Sequence, residues 1–207
     1  MTWFYKLLPQ LPQVPQELVK LSLSHIVGEQ NYQHDPSRQQ IDWDMMKRLK
    51  ILVDGREKQH LPALAWHLDD VIKHWVYNNI TDIDVAHVRV STMIPDDDND
   101  TCGAHRDRAR DYALLYVVED GGNETMTEFY REQGFPLERE KGYRTYDNDK
   151  LIKLDAIHIP LHTWCLLNVK VLHGVRYMKS RRVSIQVGLD SLQGLNQYIG
   201  ETNDLVL

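Results

Sequence analysis

Between Arg182 and Leu189 the chain alternates without a break. Arg182, Ser184, Gln186 and Gly188 fall on one parity, and Val183, Ile185, Val187 and Leu189 on the other. Successive side chains of a strand point to opposite faces, so this stretch has one apolar face and one polar face that carries a cation. Such a strand separates an apolar layer from a second compartment. If the polar parity looks into that compartment, Arg182 is a mostly buried cation that needs a carboxylate partner. The neighbouring sequence offers none. A bound dicarboxylate would supply one, gripped by two parallel N–H···O bonds, with the Ser184 hydroxyl as a further donor. Arg181, on the opposite parity, is expected to point away.

A period of two governs the chain from residue 84 onward. Ala86, Val88, Val90 and Thr92 alternate with polar residues. Strands follow over Asp111–Glu119 and Thr125–Arg131, joined by Asp120-Gly121-Gly122-Asn123, which reads as a hairpin turn. Leu151–Ile159, Thr163–Val169 and Arg182–Leu189 continue the run. Short strands in such number close into a sandwich or barrel, because open edges would otherwise be exposed. The first third reads as helical. Pro15 suits a first helical turn ahead of Leu18, Leu21 and Ile26. A second helix is expected over Ile41–Val53, with Ile41, Met45, Leu49 and Leu52 on one stripe and Asp54-Gly55 closing it. A third follows Pro62, with Leu64, Leu68, Val71, Ile72, Trp75 and Val76 as its apolar face. The length of 207 residues suits one domain. The expectation is an α+β domain over 1–207, with helical support over 1–80 and a double-stranded β-helix, or jelly roll, over 84–190.

Three motifs lie on this frame: His105-Arg106-Asp107, a distant His173, and Arg182-Val183-Ser184 nine positions further on. A spacing of two puts His105 and Asp107 on the same side of an extended strand, and the third ligand comes from another strand. Two imidazoles and one carboxylate on one face of Fe(II) leave three coordination positions open, which is what oxygen activation needs. This set, in this order, resembles the Fe(II)/2-oxoglutarate-dependent oxygenase superfamily over roughly residues 85–190. The nine-residue step from histidine to arginine is similar to its prolyl-hydroxylase-like branch.

The resemblance implies Fe(II) on His105, Asp107 and His173, and 2-oxoglutarate on Arg182 and Ser184. It also implies O2 as co-substrate and hydroxylation of a C–H bond with release of succinate and CO2. The family commonly places a tyrosine hydroxyl on the same carboxylate of 2-oxoglutarate. Tyr112, Leu114 and Tyr116 share a face, and Tyr116 matches that position better than Tyr112. A Tyr116 packed in the core with a satisfied hydroxyl is the equal alternative. Two other functions stay open: a cupin-like metal enzyme that does not use 2-oxoglutarate, and a jelly-roll binding domain without turnover.

Other features get plainer readings. His60, His67 and His74 recur every seven residues, but two helical turns separate neighbours by about 10 Å, too far to share a metal. They read as a polar stripe. His87, His158 and His162 read as structural or surface residues. Cys102 and Cys165 give no disulfide framework, and a reducing, cytoplasmic setting fits. Asp96–Asp100 reads as a solvated acidic turn, Asn168 as a weak candidate for contact with substrate or coligand, and Arg131–Lys150 as a loop where a lid would sit. No apolar run approaches a membrane span, and the first residues do not read as a signal peptide. The net charge of −6 disfavours nucleic acid. The family's nucleic-acid demethylases carry a second arginine where this chain has Gly188. The expected substrate is therefore an amino acid, a peptide or a protein side chain, with prolyl residues leading on branch similarity. The oligomeric state is open.

Overall fold

The computed structural model describes residues 3–25, 45, 48–138 and 144–199. The chain is mostly β, and its sheets are antiparallel. In chain order the strands are β1 (Tyr5–Leu7), β2 (Lys50–Val53), β3 (Arg56–Gln59), β4 (Ala63–His67), β5 (Val85–Ile94), β6 (Cys102–His105) and β7 (Tyr112–Asp120). There follow β8 (Met126–Glu132), β9 (Leu137–Glu138), β10 (Arg144–Thr145), β11 (Leu151–Ile157), β12 (Trp164–Asn168), β13 (Leu172–Arg176) and β14 (Arg182–Leu189). The helices are α1 (Gln16–Ser24), α2 (Asp70–Asn79) and the short α3 (Asn196–Ile199).

A six-stranded sheet runs β1-β12-β7-β14-β5-β4 and a four-stranded sheet runs β11-β8-β13-β6. From β5 to β14 the chain steps from one sheet to the other at each connection, except between β8 and β11. Two apolar layers result. One lies between the six-stranded sheet and the helices, where Leu18, Ile72 and Val76 meet Val90, Leu114, Val183, Ile185 and Val187. The other lies between the sheets and contains Leu115, Val117, Phe129, Ile157, Cys165 and Leu167. The apolar parity of β14 therefore faces the helices, and Arg182, Ser184 and Gln186 face the space between the sheets. Every residue of β14 is buried, polar face included.

Several expectations need correction. The stretch read as a second helix ends instead in strand β2, paired with β3 in a two-residue hairpin whose turn residues, Asp54 and Gly55, have φ of 52° and 72°. Asp-Gly between alternating residues is a hairpin signal, and Ile51 and Val53 are buried while Lys50 and Leu52 are exposed. Ile41 lies outside the described residues, as does Ile26 of the first helix. The third helix starts at Asp70 rather than after Pro62. Asp69 caps it, its carboxylate accepting from the backbone N–H of Val71 and Ile72 at 3.0 Å each. Ala63–His67 is instead edge strand β4, paired with β5. Val71 is consequently exposed, off the buried face of Ile72 and Val76.

Asp120–Asn123 does not close a hairpin either. β7 pairs with β12 and β14, and β8 with β11 and β13, so this turn carries the chain from one sheet to the other. His60, His67 and His74 form no stripe, because they lie after β3, at the end of β4 and within α2. No helix among the described residues is long and apolar enough to cross a membrane.

Candidate metal centre

β6 and β13 are neighbours, and their register sets His105 directly opposite His173. Gly174 permits this approach, since a Cβ there would lie 2.7 Å from the Cys102 carbonyl oxygen. The two rings are 4.6 Å apart between centroids. β6 ends at His105, so Asp107 belongs to the following loop rather than to the strand. Its backbone N–H donates to the Val169 carbonyl at 3.0 Å, which folds the loop back toward β12. One ligand atom from each of His105, Asp107 and His173 lies within 4.8 Å of the others. The expected triad is thus brought together.

Both imidazoles are oriented in the same way. His105 Nδ1 lies 2.8 Å from the Gly103 carbonyl, and His173 Nδ1 lies 2.9 Å from the Val171 carbonyl. A proton on each Nδ1 satisfies both carbonyls and leaves the Nε2 lone pairs for the ion, the usual outer-shell arrangement of metal-binding histidines. Asp107 Oδ1 sits 3.5 Å from His105 Nε2, while Oδ2 accepts from Arg110 Nε at 2.5 Å. Arg110 also reaches His87 Nε2, 3.2 Å from Nη1.

The electrostatics match this division. Burial works against the Asp107 charge, but the Arg110 guanidinium and the hydrogen bond with His105 hold the carboxyl well below its usual range. Burial and the neighbouring His105 push His173 down to about 4, so its ring is neutral near pH 7. At His105 burial favours the neutral ring but is overcome by hydrogen bonds with Asp107 and Cys102, which raise its pKa. His105 therefore favours its charged form beside the Asp107 carboxylate, and a divalent cation would displace the proton on its Nε2.

Arg182 is 4% exposed and makes no ion pair among the described residues, although the Asp120 carboxylate, opposite it in the β7–β14 register, favours its charge from a distance. Nη2 donates to Thr127 Oγ1 at 3.4 Å, and the buried Nη1 has no hydrogen-bond partner. Burial pulls its pKa down to about 10. Thr127 is two residues along β8 from Phe129, whose ring lies 6.4 Å from that of His173. His173 pairs with Phe129 and shares its face of β8, so the guanidinium and His173 both lie on the side of the four-stranded sheet that packs against the six-stranded one. Ser184 accepts from Gln186 Nε2 at 3.3 Å, which leaves its own hydrogen to donate. Arg181 turns away as expected and pairs with Glu119 through two bonds of 2.6 and 2.7 Å.

Tyr116 does not join the site. It pairs with Ile185 in the β7–β14 register, on the helix-facing side, and its hydroxyl donates to Gln13 Oε1 at 3.0 Å. The site-facing residues of β7 are Leu115 and Val117, so the coligand role implied for Tyr116 is corrected to core packing. Asn168 is structural too: its amide donates to the Trp3 carbonyl at 3.3 Å, and its Oδ1 accepts from Lys170 N at 3.3 Å. Asp100 binds Lys58 and Thr101, as a structural turn would. Of the Arg131–Lys150 loop, 139–143 lies outside the described residues, and β9 and β10 pair with each other. Sequence reasoning missed Arg110, Thr127 and His87. An arginine three residues after the candidate carboxylate was the available signal for the first.

Compared with known proteins, the chain matches no family model and no curated sequence.

Proposed function

We propose that this protein is a non-haem iron, 2-oxoglutarate-dependent oxygenase that hydroxylates a C–H bond of an amino acid, a peptide or a protein side chain. One observation carries the reading: a three-donor triad and a buried guanidinium with an unpartnered nitrogen lie between the same two sheets. Two imidazole nitrogens and one carboxylate oxygen suit Fe(II) and leave positions for a chelating coligand and O2. The unpartnered Arg182 Nη1 suits a carboxylate. The strand order supports a double-stranded β-helix, since β5, β7, β12 and β14 fall in one sheet and β6, β8, β11 and β13 in the other.

His105 Nε2, Asp107 Oδ1 and His173 Nε2 would hold the iron. Arg182, with Ser184 and Thr127 beside it, would hold the far carboxylate of 2-oxoglutarate. When bound, iron with 2-oxoglutarate and O2 supplies the oxidising power, the co-substrate leaving as succinate and CO2 while one oxygen atom enters the substrate. The chain's own part is positional. The backbone carbonyls of Gly103 and Val171 fix the ring tautomers, and Arg182 orients the coligand along the space between the sheets. Leu115, Val117 and Phe129 keep that space apolar, which strengthens every charged contact within it.

The acidic balance of the chain and the glycine at position 188 favour an amino-acid, peptide or protein substrate over a polyanion. Two free buried cysteines and ferrous iron suit a reducing compartment such as the cytoplasm. Succinate formation tests the reading. With Fe(II), 2-oxoglutarate and O2 it should rise above the uncoupled background for prolyl-containing peptides and not for methylated oligonucleotides. A clear oligonucleotide response would overturn the substrate choice, and no succinate under any condition would overturn the activity.

A further inference from the structure

Beside the proposed centre stands a buried cation, Arg110, that is not one of the three candidate donors. Arg110 is 7% exposed and donates through Nε to Asp107 Oδ2 at 2.5 Å. A charge-assisted bond of this kind is among the stronger and more directional contacts a carboxylate makes. The other oxygen, Oδ1, is turned toward His105 Nε2 at 3.5 Å. The guanidinium is itself located from behind, with Nη1 3.2 Å from His87 Nε2 on β5. The room for both side chains comes from Gly188 on β14. A Cβ there would stand 2.5 Å from His87 Cε1, 2.8 Å from His87 Nε2 and 2.9 Å from Arg110 Cδ.

We infer that Arg110, seated by His87 in the niche left by Gly188, is a positioning residue that confines Asp107 to ligation through one oxygen. The inference rests on the metal centre proposed above. A carboxylate that used both oxygens would have to turn Oδ2 off Arg110 and toward the ion. It would then occupy a fourth position on the metal and leave too few for a chelating coligand and O2. Arg110 therefore matters less for holding the ion than for keeping coordination positions open. Its positive charge even opposes the cation slightly, so its loss should not weaken metal binding.

Mn(II) is the probe, read by calorimetry and by its electron paramagnetic resonance signal, with 2-oxoglutarate then titrated into the Mn(II)-loaded protein. Arg110→Gln and Gly188→Ala should keep the Mn(II) dissociation constant within about threefold of wild type. Both should raise the 2-oxoglutarate dissociation constant about tenfold or more, because the coligand would then compete with Asp107 Oδ2 for a coordination position. Gly188→Ala displaces the guanidinium without removing its charge, so it carries the test alone if Arg110→Gln does not fold. Both variants should alter the Mn(II) resonance in the same way, and Arg110→Lys should restore part of the 2-oxoglutarate affinity. Parallel loss of Mn(II) in folded variants would overturn the inference, as would unchanged 2-oxoglutarate affinity. Wild type that binds Mn(II) no better than Asp107→Ala removes the metal centre itself and the inference with it.

Discussion

Replacing Arg182 by Met should have opposite effects with and without 2-oxoglutarate. The guanidinium is 4% exposed and burial pulls its pKa down to about 10. That depression corresponds to a cost on the order of 3 kcal/mol for carrying the charge inside. Methionine fills similar space without a charge, so without coligand the variant should be as stable as wild type or more stable, by up to a few degrees in Tm. The pH dependence has a definite sign. A base whose pKa is lower in the folded state costs stability at every pH below that value and less as pH rises through it. The advantage of the variant should therefore shrink above pH about 10.

Adding 2-oxoglutarate to the metal-loaded protein should reverse the order. Wild type gains stability by mass action, and the variant, having lost a buried charged partner worth about 3–5 kcal/mol, gains almost none. In calorimetry this is a fall in 2-oxoglutarate affinity of about a hundredfold or more. Arg181→Ala is the control. Its pair with Glu119 is more exposed, and its loss should cost about 0.2–1 kcal/mol of stability and no coligand affinity. Equal effects at Arg181 and Arg182, or wild-type 2-oxoglutarate affinity in Arg182→Met, would refute the reasoning.

His105→Ala, Asp107→Ala and His173→Ala should each abolish stoichiometric Fe(II) binding while far-ultraviolet circular dichroism stays unchanged; full iron in Asp107→Ala would show the triad to be misassigned. Tyr116→Phe should leave 2-oxoglutarate affinity at wild-type level in calorimetry, because its hydroxyl bonds Gln13 beneath the helices, and a large loss would return it to the site. Asp69→Ala should cost about 1 kcal/mol in urea unfolding by uncapping α2, without change in metal binding.

Much of the β-rich half was legible because a period of two survives burial. The bounds of β14 are those read from its alternation, and that parity placed Arg182 and Arg181 on the sides they occupy. The same reasoning erred at Tyr116. Parity says which residues share a face, not which face points inward, and only the register with β14 decides that. In the first third the helix after Pro15 formed as expected, and the other two helices were misread for a related reason. Leu49, Leu52 and Met45 fit a helical stripe, but Asp54-Gly55 is a turn that also ends helices, and local sequence does not choose between the two. Leu64 and Leu68 likewise fit a helix that the Asp69 cap starts later. The triad was legible from residue types and order. Arg110 was legible only as an arginine three residues after the carboxylate, because its role depends on His87 and Gly188, which reach it only through the fold.

We propose that the triad and Arg182 form one site for Fe(II) and 2-oxoglutarate. Titrating 2-oxoglutarate anaerobically into the Fe(II)-loaded protein, with the visible absorption spectrum as readout, tests it most directly. A weak visible charge-transfer band should appear, saturate at one equivalent, be absent in His173→Ala, and need far more 2-oxoglutarate in Arg182→Met. A protein that binds Fe(II) at the triad yet develops no band at any 2-oxoglutarate concentration would contradict it.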